Sequence, residues 1–406
     1  MEIADPGYLP QLMPTSGSYA WLRHGDGMVG WGEVVRHKAT TIDEAEEWWR
    51  ELSAGVVEDC ELSSPPAGSG LMAFGSFVFD AANTSAQSAL VVPETVIGRA
   101  HGRAWLTTIG TSPSTSWSPS SVTLQAPRNV SFADGGLSGP EWEAVVAEAV
   151  RRINADGLDD AYGLDKVVLA RDLLAFADAD IDPRWLLARL AADYSRCWTY
   201  LVDGLVGATP EMLIRREGGL ATSRVLAGTI RRTGDDRRDL ALAAALAQSS
   251  KDLEEHEYAV ASVARALAPY CSGMHVPESP YVLELPNVLH LATDVTAVAK
   301  DPSSLALAAA LHPSAAVCGT PTEAARQTIC EIEHLDRERY TGPVGWIDAH
   351  GDGEWGIALR CGQISSTDPR QIRLFAGCGI VAGSDPEAEL AESNAKLVPM
   401  RDALGE

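Results

Sequence analysis

Apolar residues recur along the chain in two rhythms, and the switches between them mark the elements. Lys166-Val167-Val168-Leu169-Ala170-Arg171-Asp172-Leu173-Leu174-Ala175-Phe176 is almost continuously apolar. A run of that kind predicts a buried strand. Alternation places Lys166, Val168 and Ala170 on one side and Val167, Leu169 and Arg171 on the other. Further strands are predicted over 197–203, 211–216, 221–230, 344–349, 355–364 and 372–381, with His350-Gly351-Asp352-Gly353 as a hairpin turn. Helical spacing governs Trp142, Val145, Val146, Val150 and Ile153, with Pro140 suited to the first turn. Asp182-Pro183 is an N-cap followed by proline at the first helical position, opening a helix to about residue 193. Residues 236–268, rich in Ala and Leu, read as one or two helices. Others are predicted over 302–311 and 321–333, and a last one starts near Pro386. Before residue 110 the pattern is irregular, with short strand-like runs at 27–32 and 71–79 and a helical run at 42–52. The class is α/β of the α+β type, with largely antiparallel sheets. The Ser/Pro-rich stretch 110–121 is a low-complexity loop, either a domain boundary or a surface loop within one domain.

Composition narrows the partners. The 406 residues are 46% hydrophobic and 22% charged, an ordinary globular balance. A net charge of −24 excludes nucleic acid and anionic membrane surfaces as partners. The longest apolar runs, 240–247 and 305–311, fall short of the roughly 20 residues that span a bilayer. Met1-Glu2-Ile3-Ala4-Asp5-Pro6 has neither the basic nor the apolar region of a signal peptide. Seven cysteines, an odd number with no Cys-x-x-Cys, speak against a disulfide framework and a zinc site. A cytoplasmic protein is expected.

Several residues carry candidate chemistry. Asp252 and Glu255 are three apart on one predicted helix, and Glu389 and Glu392 are three apart on another. That spacing puts each pair on one helix face. Two such pairs in one pocket suit Mg²⁺, and the alternative is a pair of solvated acidic faces. Lys166 is either a desolvated general base or a lysine that snorkels outward. Arg360, within an apolar predicted strand, needs an anion, either a protein carboxylate or a substrate's. His290 is a core histidine or a ligand. Gly377-Cys378-Gly379 mimics a dinucleotide fingerprint, but Ser384-Asp385-Pro386 intervene before the helix, so that reading fails. Its glycines leave room for backbone N–H groups to approach a carboxylate. Asp178-x-Asp180-x-Asp182 lacks the glycine and the closing glutamate of a calcium loop.

Nine segments in order carry a resemblance. They are Lys166-Val167-Val168-Leu169-Ala170-Arg171, Gly207-Ala208-Thr209-Pro210-Glu211, Leu226-Ala227-Gly228-Thr229, Lys251-Asp252-Leu253-Glu254-Glu255-His256-Glu257, His290-Leu291-Ala292-Thr293, His312-Pro313-Ser314-Ala315-Ala316-Val317-Cys318-Gly319, Gly342-Pro343-Val344-Gly345-Trp346, Ala376-Gly377-Cys378-Gly379-Ile380-Val381 and Glu389-Leu390-Ala391-Glu392-Ser393-Asn394-Ala395-Lys396. This set resembles the chorismate-utilising enzymes, and among them the isochorismate synthases most, from about residue 140 onward. The resemblance implies a single domain over 1–406, with a variable N-terminal part (1–121) and a recognisable catalytic core (122–406). It implies two stacked, largely antiparallel sheets with helices outside and the active site in a cleft. It implies chorismate as substrate and Mg²⁺ as cofactor. By motif position Lys166 matches the base that activates water, and Glu211 the acid that protonates the departing hydroxyl. Glu255 and Glu392 match direct metal ligands, with Asp252 and Glu389 assisting. Thr229, His290, Tyr340, Arg360, Gly379 and Lys396 match positions lining the substrate pocket. Lys166 favours water over ammonia as nucleophile, and no amidotransferase segment is visible, so no glutaminase subunit is expected; a monomer is. Salicylate synthase-like relatives tend to carry Thr where this chain has Ala316, which favours stopping at isochorismate. A silent dicarboxylate-binding relative is the remaining alternative, and loss of Lys166 or Glu211 would mark it.

Overall fold

The computed structural model describes residues 1–60, 62, 64–111, 122–155 and 163–405, the side chains of Lys251 and Glu255 excepted. Most of the 110–121 loop lies outside the described residues. Two large sheets organise the rest, one of twelve strands and one of ten. Every pairing among the described residues is antiparallel. The buried strand Lys166–Phe176 forms as its pattern predicts and pairs along its whole length with Gln371–Val381, from Lys166 opposite Val381 to Phe176 opposite Gln371. The helices Gly139–Ala155 and Pro183–Asp193, the latter capped by Asp182, also match the reading. Residues 236–268 resolve into two helices, Asp236–Gln248 and Ser250–Leu267.

The runs read before residue 110 form Asp26–Trp31, Met72–Ser76 and the helix Ile42–Ala54, and the stretch is more regular than expected: its described residues form eight strands. Ser18–Arg23 pairs with Trp198–Val202 and so extends the larger sheet. Met72–Ser76 pairs with Pro343–Asp348 and extends the smaller one. The alternation that announces a strand is missing here for a physical reason. Met72–Ser76 and Ser88–Val92 are buried at every position, so neither face is polar. The sheets stack through an aromatic-rich layer. Tyr19 of one stacks on Phe74 of the other at 5.8 Å between ring centres, and Trp21 Nε1 donates to Glu354 Oε2 at 2.6 Å.

Two neighbouring points at which the chain passes from one sheet to the other matter here. Leu205–Thr209 lies in the larger sheet and Met212–Glu217 in the smaller, with Pro210-Glu211 as the step between them. The predicted single strand 355–364 is in fact two. Gly353–Ile357 belongs to the smaller sheet and Cys361–Ile364 to the larger. Arg360 therefore sits in the crossing, with φ at +48°, a left-handed conformation uncommon outside glycine. Continuous apolar patterning hid the crossing, because both strands are buried. The two steps are tied together: Ile357 N donates to Glu211 O at 3.2 Å, and Ala208 N to Arg360 O at 3.2 Å.

A buried ion pair supports the strand that begins at Lys166. Arg337 meets Glu333 through Nε–Oε1 at 2.7 Å and Nη2–Oε2 at 2.5 Å, both residues nearly inaccessible. The guanidinium also donates to the carbonyls of Val168 (2.6 Å) and Val317 (2.9 Å), while Ala170 N donates to Glu333 at 2.8 Å. Removing one buried charge strands the other, at a cost of about 3–5 kcal/mol. Arg337→Met should lower the unfolding free energy by that amount in urea titration, and adding Glu333→Gln should recover part of it. An unchanged midpoint in the single variant would contradict this account.

Candidate active site

Between the sheets and the helices Ser250–Leu267 and Pro386–Ala403 lies a cleft of about 1180 Å³. Each wall has a local reason to be there. Alternation along the Lys166 strand sends Val167 and Leu169 into the core and leaves Lys166 and Val168 on the cleft. Opposite Val168 in the ladder stands Gly379. A Cβ there would lie 2.8 Å from Lys166 Cε and 3.4 Å from Nζ, so glycine is what lets the lysine lie across the neighbouring strand.

Glu211 lines the cleft at the first sheet crossing. Thr209 Oγ1 accepts from its backbone N–H at 3.2 Å, which helps to hold the turn. Burial pushes its carboxyl up to about 7, against the pull of Lys166, Arg360 and Lys396. Arg360 enters from the second crossing, one step away. Its left-handed backbone, rather than strand alternation, sets where it sits.

Thr229 and His290 face each other across a bulge. The ladder shifts register between Ala227 and Thr229, and Gly228 in the bulge has φ of +76°. Thr229 Oγ1 and His290 Nδ1 are 3.0 Å apart. Burial, with Arg360 and Lys396 nearby, lowers the imidazole to about 3, so it is neutral at working pH. Tyr340 stacks on Phe375 at 5.2 Å, nearly parallel, and burial raises its phenol. Ala316 also lines the cleft.

The last helix supplies the acids and a further cation. Side-chain atoms of Cys378, Glu389 and Glu392 lie within 4.8 Å of one another. Burial pushes the Cys378 thiol up to about 12. The two carboxylates are hard oxygen donors of the kind Mg²⁺ takes. Lys396 Nζ pairs with Glu392 Oε1 at 2.6 Å and donates to Gly377 O at 2.9 Å. Burial raises Glu389, and Glu392 beside it adds to the rise; burial also acts to raise Glu392, but the charge and hydrogen bond of Lys396, with Arg360, bring it down. Asp252 lines the cleft from the facing helix, its N–H capped by Ser249. The Glu255 side chain is outside the described residues. The structure thus brings every other singled-out residue to one cleft. It adds Glu254, Tyr258 and Arg265. The helical period carried on from Glu255 through 258, 262 and 265 was the signal for the last two.

Comparison with known proteins gives the family. The family model described as "Chorismate binding enzyme" matches residues 19–405. The chain belongs to the chorismate-binding enzymes. Its relatives include isochorismate synthase DhbC of Bacillus subtilis, 42% identical over 278 residues, 65% of this chain and 68% of that one. Isochorismate synthase EntC of Escherichia coli is 40% identical over 248 residues, 60% of this chain and 63% of that one. Among solved structures, a putative 2,3-dihydroxybenzoate-specific isochorismate synthase of Bacillus anthracis superposes with a TM-score of 0.81 at 32% identity, covering 99% of this chain and 100% of that one. The two-sheet fold of this family is therefore shared along the full length, including the N-terminal strands. No helix among the described residues is long and apolar enough to cross a membrane.

Proposed function

We propose that this chorismate-binding enzyme is an isochorismate synthase that interconverts chorismate and isochorismate. The observation that carries the reading is the pairing in one cleft of Lys166 with a buried, protonatable Glu211, flanked by Arg360 and Lys396. The names of relatives matching along the chain support it.

Chorismate carries two carboxylates, and the reaction moves a hydroxyl from C4 to C2 of its ring. Lys166, when neutral, takes a proton from the water that bonds to C2. Glu211, when protonated, gives its proton to the C4 oxygen as that C–O bond breaks. The ring double bonds shift between the two, and no electrons are lost to an acceptor. Glu211 is suited to this by burial, which holds its pKa near 7. Arg360 offers a planar fork to one substrate carboxylate, and backbone N–H groups near Gly379 can assist it. These cations also answer a problem set by the −24 charge, which by itself repels a dianion. Glu392 and Glu389, with Asp252 and Glu255 from the facing helix, would hold Mg²⁺. The ion when bound would polarise the ring carboxylate and the diene attached to it.

Incubation with chorismate and Mg²⁺, followed by chromatography, should give isochorismate in a reversible ratio. Salicylate and pyruvate as the sole products would replace this reading with a lyase. Chelation should stop turnover and Mg²⁺ restore it, and full activity in excess chelator would remove the metal from the proposal.

A further inference from the structure

Glu211 also borders a second, much smaller cavity of about 20 Å³. It adjoins the main cleft, since Glu211, Ala259, Ser262, Ala315 and Ala316 line both. The volume suits one solvent molecule, for which about 10–15 Å³ is enough. The lining is polar where it needs to be. Ser314 Oγ is buried there without a hydrogen-bond partner among the described residues. Ser223, almost wholly inaccessible, and Ser262 contribute further hydroxyls. Arg224 also borders the cavity, but alternation turns its side chain away from Ser223 and Val225, and its guanidinium is engaged by Asp294 at 2.7 and 3.1 Å. An added anion would meet the Glu211 carboxyl. A neutral molecule that both donates and accepts is what fits.

We propose that this cavity is a buried water site, and that the water bridges Ser314 Oγ to Glu211 and orients its carboxyl. The bridge assigns Ser314 a positioning role, and it rests on the reading of Glu211 as the acid. A carboxylic acid has one proton and two oxygens. A water donating to one oxygen keeps the proton on the other, which is then available to the cleft. The same donation favours the ionised form, so it works with Lys166, Arg360 and Lys396 on the cleft side. Losing it should move the Glu211 titration upward.

The test compares the intact protein with Ser314→Ala and with the bulkier Ser314→Cys. A high-resolution crystal structure should show an ordered water within hydrogen-bond distance of Glu211 and Ser314. Infrared spectra referenced to Glu211→Gln isolate the Glu211 carboxyl band. Its titration midpoint should rise by about half to one unit in both variants. A dry cavity overturns the proposal, and so does a midpoint unmoved in the variants. Neither readout needs substrate, so these failures are distinct from failure to form isochorismate.

Discussion

Glu211→Gln should lose turnover by a factor of about 10²–10⁴ and yet gain stability at alkaline pH. The loss follows from the proposed role, since an amide has no proton of suitable acidity to give to a leaving hydroxyl. The gain follows from burial. The Glu211 carboxyl is raised from 4.5 to about 7 because its site disfavours the charge. A carboxyl raised on folding stabilises the folded state fully below its unfolded value of 4.5. That contribution is lost as the pH climbs through about 7. By pH 9 the native protein holds a charge its site resists, at a cost of about 3 kcal/mol. Glutamine carries no such charge. Urea unfolding at pH 4.5 and pH 9 should therefore show the variant near the parent at the lower pH and more stable at the higher. Asp348, pushed up to about 6 by burial, acts in the same direction but is common to both proteins and cancels. A stability difference independent of pH would mean that the acid is not held neutral by its surroundings. In the parent, turnover should fall as pH rises through about 7, the ionisation that removes the proton donor.

Much of this site was legible because its chemistry sits on regular elements. Alternation along 166–176 placed Lys166 opposite Val167, and the structure keeps Lys166 on the cleft with Val167 in the core. The i, i+3 spacing of Glu389 and Glu392 foretold carboxylates on one helix face, and they do converge. What patterning left hidden lies where the backbone departs from a period. Arg360 read as a strand residue because apolar positions continue on both sides of it, but its strand ends and the chain changes sheets. Nothing in a run of buried residues reports a left-handed φ at an arginine. Thr229 and His290 meet through a bulge at Gly228, which the alternation of either strand alone does not disclose. In the N-terminal part the runs at 27–32 and 71–79 are legible and form Asp26–Trp31 and Met72–Ser76, whereas Ser88–Val92, buried at all five positions, is not. The difference from 166–176 is length: eleven residues there, against five in Ser88–Val92. A short buried strand has neither alternation nor enough length to stand out.

Lys166→Ala should abolish turnover and leave the fold intact. Lys166 is the first residue of its strand, and its pairings with Thr320 and Val381 run through the backbone. Alanine keeps those pairings, while the neighbours that carry the packing, Val167 and Leu169, are untouched. Unfolding by urea should therefore shift little. Turnover should fall by about 10²–10⁴, the range for removal of a positioned base. Small primary amines added to Lys166→Ala should restore part of the rate, since they supply a base of the same type to the space the side chain leaves. A variant with near-native turnover would exclude Lys166 as the base. A variant that loses binding with turnover unchanged at saturation would make it an anion-binding residue instead. Gly379→Val separates position from identity. Its side chain would begin 2.8 Å from Lys166 Cε, so the lysine must move while keeping its amine. If placement of Nζ controls the reaction, this variant loses turnover too, though the lysine is still present. Added amine should not rescue it, because the valine and the displaced lysine still occupy the space.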